Sequence, residues 1–82
     1  MLSEDFARLF GEAVRRQRKA KRLTQEQLAE KADLASKMIS LVERFERNPS
    51  LNVADSIARG LGVPLWRLVK DAENLRAVTQ KR

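Results

Sequence analysis

Six cationic side chains lie within eight residues in the first third of the chain. The segment 15–22 contains no acid, and its charge equals the +6 net charge of the whole chain. Its basic members are Arg15, Arg16, Arg18, Lys19, Lys21 and Arg22. A cluster this dense suits a polyanion, because each neutralised phosphate releases condensed counterions. The alternative is a solvated helix end, where cations complement the negative end of the helix dipole.

The residue types that are missing exclude several kinds of chemistry. The sequence has no Cys and no His. Disulfides, Cys-ligated zinc or iron–sulfur clusters, His general bases and Ser-His-Asp relays are therefore excluded. The 11 Asp and Glu residues form no recognisable metal or acid–base constellation. We expect a protein that is not an enzyme and has no cofactor or metal site.

Chain length and hydropathy limit the size and location of the protein. With 82 residues the chain has room for one domain, which buries about 60–65% of its unfolded surface. No apolar stretch approaches the roughly 20 residues of a membrane span. The segment 1–5 is acidic and lacks the pattern of a signal peptide. We therefore expect a cytoplasmic protein that makes no membrane contact.

The elements that must position the cationic residues are helices. Apolar residues at i, i+3 and i+4 spacing predict five helices, over about 4–20, 25–32, 36–45, 51–60 and 64–78. Thr24 and Gln27 form a capping box at the start of the second helix. Gly62 is suited to end the fourth helix, and Pro64 to begin the fifth. No segment alternates with period two, so we expect one all-α domain over 1–82.

The segment from Gln25 to Arg44 has the apolar spacing of two short helices that cross steeply. Ala29 supplies the small residue that a close approach needs, and Leu34 fills the turn between the helices. Ile39 packs from the second helix of the pair. This is the spacing of a helix-turn-helix, although a generic helical hairpin shares it.

The chain resembles the Cro/repressor-type (Xre-like) helix-turn-helix DNA-binding domains. The resemblance covers about residues 6–70 without a gap in register. Its matching stretches are Leu23–Ala29, Ile39–Arg44, Asn48–Leu51, Ile57–Ala58 and Leu61–Pro64. It implies a five-helix lambda-repressor-like fold with the helix-turn-helix at helices two and three. Small stand-alone restriction–modification controller proteins are the subtype that it most resembles.

Three residues depart from the family pattern. Asp33 stands where the family has a glycine in the turn, and Asp tolerates the left-handed conformation better than most residues. Ala35 replaces the usual Ser or Thr cap, so the third helix begins less firmly. Phe45 replaces a glycine at the end of that helix. Because Phe is poor at positive φ, we expect the helix to continue for another turn or the loop to differ.

The resemblance assigns the reading of bases to the third helix, which enters the major groove. The base-reading candidates are Ser36, Lys37, Ser40 and Leu41. Lys37 can donate to guanine O6 and N7, and Leu41 can touch a thymine methyl group. Ser36 is alternatively a helix cap, and Leu41 a partly buried filler. Met38 lies near the same face and either packs on the core or contacts bases.

The resemblance assigns phosphate contacts to residues around this helix. The candidates are Arg15, Arg18, Arg22, Gln25, Arg44, Arg47 and Asn48, with Lys19 as a further one. Arg18 matches the family's phosphate-contacting position on the first helix, and Gln25 lies at the N-terminus of the second. Arg44 and Arg47 either grip phosphates or pair with neighbouring acids. Glu43 is interpreted as structural, because beside DNA it would repel phosphates.

The fifth helix carries the only tryptophan. Trp66 lies outside the apolar stripe of that helix, which favours an interface, whereas the alternative is partial burial against the fourth helix. So small a domain contacts few base pairs, and specific control then needs two copies on a palindrome. We expect a homodimer centred on Leu65, Trp66 and Val69, with Leu75 and Val78 as further candidates.

These features together predict a bacterial or phage transcription regulator. It would bind a palindromic operator in double-stranded DNA as a homodimer, with RNA polymerase as a further candidate partner. The alternative is an antitoxin or protein-interaction adaptor with the same fold, whose basic face binds an acidic partner.

Overall fold

The protein is a bundle of five helices in a computed structural model that describes the backbone of residues 4–80 and the side chains of residues 6–77. In chain order the helices are α1 (Glu4–Ala20), α2 (Gln25–Ala32), α3 (Ser36–Glu43), α4 (Leu51–Leu61) and α5 (Leu65–Gln80). The described residues contain no strand, so the predicted all-α fold is confirmed. The sequence also offers Ser3, just before Glu4 and Asp5, as a cap of the first helix, and this residue lies outside the described part of the chain.

The core consists of one apolar face from each helix. α1 packs along α5, and α2 packs across α4 and against α3. Because the buried positions recur at helical spacing, all five helices converge on one cluster. Its fully buried members include Phe10, Val14, Leu28, Ile39, Val42, Ile57 and Leu68. No helix of the described part is both long enough and apolar enough to cross a bilayer.

Each of the first four helices ends at a residue in the left-handed conformation. These residues are Arg22 (φ 59°), Asp33 (φ 59°), Phe45 (φ 66°) and Gly62 (φ 77°). In each case the next residue donates its N–H to the carbonyl five positions earlier, which is the Schellman arrangement. Asp33 thus takes the conformation that the sequence predicted. Three of these turns connect their helices within three or four residues, whereas seven residues separate α3 from α4.

The end of α3 corrects one expectation. The helix ends at Glu43 instead of continuing through Phe45. The Phe45 ring packs on Gly11 of α1, and a Cβ added at Gly11 would lie 3.2 Å from its Cδ1 atom and collide with the carbonyl oxygen of Val42. The guanidinium carbon of Arg8 lies 4.9 Å from the ring centroid. These tertiary contacts offset the roughly 1–2 kcal/mol that a left-handed residue costs.

Candidate nucleic-acid interface

The N-terminus of α2 is held by its capping box. The N–H of Gln27 donates to Thr24 Oγ1 at 3.0 Å, and the Thr24 N–H donates to Gln27 Oε1 at 2.8 Å. The predicted capping box is therefore confirmed. It sets Gln25 at the first helical position, where its side chain is half-buried.

The helix α3 separates a buried face from an exposed edge. Ile39, Val42 and Glu43 are buried. Met38 is half-buried and packs against the core, which favours its core-packing interpretation. The predicted base-reading residues lie on the other side: Ser36 and Lys37 are exposed, whereas Ser40 and Leu41 are half-buried.

Two details of this edge bear on the sequence predictions. The N-cap of α3 is Ala35, which makes no side-chain hydrogen bond, as its residue type predicted. Ser36 is the first helical residue and not the cap, so its alternative interpretation is wrong. Lys37 has no ion-pair partner among the described residues, and its ammonium group is available to an outside acceptor.

A buried ion pair joins the end of α1 to the end of α3. Arg18 Nε donates to Glu43 Oε2 at 2.8 Å, and Arg18 NH2 donates to Glu43 Oε1 at 2.9 Å. The side chains are only 11% and 3% exposed. The hydrogen bond to Glu43 raises the pKa of Arg18 above its ordinary value, although burial acts in the opposite direction. Arg18 therefore remains protonated although its side chain is largely buried.

The same geometry corrects the role predicted for Arg18. Its third nitrogen, NH1, donates to the carbonyl oxygen of Leu23 at 2.8 Å. Three of its five N–H groups are thus used inside the protein and the side chain is only 11% exposed, which argues against the predicted phosphate contact. Glu43, by contrast, has a structural role in this ion pair. We interpreted it in this way from the sequence because a carboxylate beside DNA would repel phosphates.

The ion pair also reaches the start of α2. Gln25 Nε2 donates to Glu43 Oε1 at 3.1 Å. One carboxylate therefore ties together the ends of α1 and α3 and the first residue of α2. The amide of Gln25 retains a second N–H, so its predicted phosphate contact stays a prediction compatible with this geometry.

The remaining predicted phosphate residues are exposed and fall into two groups. Arg15 lies 3.9 Å from Glu12, and Arg44 NH2 lies 3.4 Å from Glu46 Oε1. Both are weak surface pairs that a phosphate can replace. Lys19, Arg22 and Arg47 form the second group, because they have no ion-pair partner among the described residues. The uncharged Asn48 is exposed beside Arg47 in the chain.

The fifth helix presents an exposed apolar patch. Trp66 is 63% exposed, which favours the interface interpretation over partial burial against α4. Leu65 and Val69 are half-buried beside it. Leu51 was not predicted to be part of an exposed patch. It is 75% exposed, although it is one of the apolar residues of α4. The available signal was its position at the first residue of α4, before the buried stripe of that helix begins.

The other two candidates on α5 lie outside this patch. Leu51, Leu65 and Val69 line one small apolar groove, together with Phe6 and Pro49. Leu75 instead faces a cleft between α1 and α5. The side chain of Val78 lies outside the described residues.

Known proteins share this arrangement. A family model described as a helix-turn-helix matches residues 14–65. An immunity repressor protein of Bacillus phage phi105 is 39% identical over 59 residues, which are 72% of this chain and 41% of that repressor. The restriction-modification controller protein C.AhdI from Aeromonas hydrophila is 35% identical, with a TM-score of 0.73 over 76% of this chain and 94% of that structure. The wild-type controller protein C.Esp1396I is 27% identical, with a TM-score of 0.75 over 83% of this chain and 91% of that structure.

The matched range contains the whole of α2, α3 and α4 and the ion pair between α1 and α3. It covers more than half of the chain. The chain spans 41% of the length of the phage repressor. On the family match and the two-helix geometry together, the chain belongs to the Xre-like helix-turn-helix family of DNA-binding domains.

Proposed function

We propose that the protein is a sequence-specific transcription regulator that binds a palindromic operator in double-stranded DNA as a homodimer. The observation that carries this proposal is the exposed edge of α3. Lys37 is exposed on this edge and has no ion-pair partner among the described residues. An unpaired cation on the first turn of this helix can donate to the two acceptors of guanine, O6 and N7, in the major groove.

The phosphate contacts come from residues on either side of that edge. Arg22 follows α1, and Arg47 and Asn48 follow α3; all three are exposed. Gln25 adds the N-terminus of α2, where free amides favour an anion. Arg15 and Arg44 join them once phosphates displace their weak surface partners. Arg18 is not in this set, since it holds Glu43.

The homodimer rests on the apolar patch of α4 and α5. Trp66 and Leu51 are the two most exposed large apolar side chains among the described residues. Leu51 lines the groove with Leu65 and Val69, and Trp66 follows Leu65 in α5. Tryptophan in such a position is typical of an interface hot spot. Two protomers joined there would present two α3 helices to half-sites one helical turn, about 34 Å, apart.

The similarity to C.AhdI and C.Esp1396I supports a restriction–modification controller protein as the subtype. The similarity to a phage immunity repressor supports the broader regulator class. RNA polymerase is a candidate partner of such a regulator. We assign the protein no catalytic role and a cytoplasmic location on bacterial or phage DNA.

Selection of bound sequences from a random DNA pool tests the proposal. We expect enrichment of a palindrome whose half-sites lie about one helical turn apart. A gel shift should then give tighter binding to this palindrome than to a scrambled duplex. If both duplexes bind within about threefold, a difference of under about 0.7 kcal/mol, the regulator proposal is wrong and the adaptor or antitoxin alternative replaces it.

A further inference from the structure

None of the residues that line a second basic surface, an open cleft, belongs to the proposed DNA contacts. The C-terminal ends of α1, α2 and α4 meet there around an open cleft of about 610 Å³. Its charged lining consists of Lys21, Lys31 and Arg59, and no acid lines it. Its apolar lining includes Leu23 and Leu61. The cleft therefore combines a cationic rim with an apolar floor.

Two glycines in α4 and its cap shape this cleft. A Cβ added at Gly60 would lie 3.0 Å from the Cβ of Ala32, so α4 touches the end of α2 at that point. This contact sets Lys31 and Arg59 on the same rim. At Gly62 a Cβ would meet nothing within 4 Å, which leaves open space between the rim and the floor.

The rim cations are available to an outside anion. Lys21 and Lys31 have no ion-pair partner among the residues that the structure describes. Arg59 Nε lies 3.0 Å from Asp55 Oδ2, but this is an exposed i,i+4 pair on one helix. Such pairs contribute little and exchange readily with another carboxylate.

The cleft adjoins the proposed DNA contacts at one point, since Arg22 lies between Lys21 and Leu23 in the chain, but its other two cations lie elsewhere. Lys31 lies six residues after Gln25 on α2, which is about 9 Å along the helix axis and about 120° around it. Lys31 and Gln25 therefore point to different sides of the molecule. Neither Lys31 nor Arg59 belongs to the proposed phosphate set.

We propose that this cleft binds an acidic peptide segment of a partner protein, with an apolar side chain of the segment against Leu23. A phosphodiester backbone has nothing to gain from an apolar floor, and a rigid duplex cannot enter a concave cleft. An extended chain can do both, and its carboxylates complement the three cations. The inference goes beyond the proposed function and does not depend on operator binding.

Fluorescence anisotropy with the full chain tests the inference. The probe is a labelled short peptide of alternating glutamate and leucine, and its control replaces each glutamate by glutamine. We expect the acidic peptide to bind and the glutamine peptide to bind at least about tenfold more weakly, a difference of about 1.4 kcal/mol. Equal binding of the two peptides would overturn the proposal, as would no binding of either.

Charge reversal at the rim then locates the binding site. Lys31→Glu and Arg59→Glu should each weaken the acidic peptide about tenfold and leave duplex binding within about threefold. Lys70→Glu makes the same charge change on α5, outside the cleft, and should leave the peptide affinity unchanged. If Lys31→Glu weakens duplex and peptide equally, the cleft belongs to the DNA contact surface and the proposal is wrong.

Amide chemical shifts provide a second, independent measurement. Addition of the acidic peptide should shift the backbone signals of Gly60, Gly62 and Leu23 and leave those of α3 in place. Shifts confined to α3 would overturn the assignment of the cleft. Duplex binding is measured on the same samples, so its failure is seen separately from failure of the peptide site.

Discussion

Replacement of Arg18 by methionine separates a structural role from a DNA contact. Arg18→Met keeps an unbranched apolar stem but removes the guanidinium group, which leaves the Glu43 carboxylate, 3% exposed, with only the Gln25 amide as a described partner. Removal of one partner of a buried ion pair costs about 3–5 kcal/mol. A chain of 82 residues has about 4–12 kcal/mol in total, at about 0.05–0.15 kcal/mol per residue. The variant therefore loses a large fraction of its stability.

Thermal and urea unfolding followed by circular dichroism measure this loss. A change of 1 kcal/mol lowers Tm by about 4–8 °C in a domain of this size, so we expect a drop of at least about 12 °C. Arg16→Met is the matched control, because Arg16 lies on the same helix and pairs with Glu12 at 3.0 Å while 66% exposed. Its cost should stay below about 0.5 kcal/mol.

A double variant and a binding measurement complete the experiment. Arg18→Met with Glu43→Met removes both charges, and its stability should return to within about 1 kcal/mol of the wild type or exceed it. The reasoning is refuted if Arg18→Met costs under about 1 kcal/mol and instead weakens binding to every duplex with a shallower salt dependence. That result would restore Arg18 as a phosphate contact.

Three further variants test other parts of the structure. Lys37→Ala should cost about 1–3 kcal/mol on the selected operator and relax preference at one position per half-site; uniform loss on all duplexes in gel shifts would contradict base reading. Trp66→Ser together with Leu51→Ser should shift light scattering at micromolar concentration from twice the chain mass to the chain mass, and an unchanged mass would exclude this patch as the interface. Gly11→Ala should destabilise by about 1–3 kcal/mol in urea unfolding, because the new methyl group meets the Val42 carbonyl and the Phe45 ring; a neutral result would mean that α3 does not approach α1 so closely.

Local features of the sequence predicted the helices and their ends best. The apolar stripe of each helix and the Thr24 capping box depend on residues a few positions apart, so they can be read without the fold. The left-handed Asp33 was equally predictable, because its cause is the backbone preference of one side chain.

Features with distant causes were missed. Phe45 is left-handed because its ring packs on Gly11, which lies 34 positions earlier in the sequence. Arg18 is withdrawn from solvent by Glu43, which lies 25 positions later. Composition and periodicity contain no signal for either contact, and the family resemblance assigned Arg18 to phosphate. The exposure of Leu51 differs from these two, because its position at the first residue of α4, before the buried residues of that helix, was a local signal.

One face of α3 packs on the core, whereas the other face is in contact with solvent. This separation affects which substitutions the protein can tolerate. Ile39, Val42 and Glu43 are committed to the core and the ion pair, whereas Ser36 and Lys37 stand free in solvent. Substitutions at the free positions therefore alter what α3 presents without loosening its attachment to the rest of the bundle. Evolution, or a designer, can retune the partner of this helix while the thermal tolerance of the protein stays nearly constant.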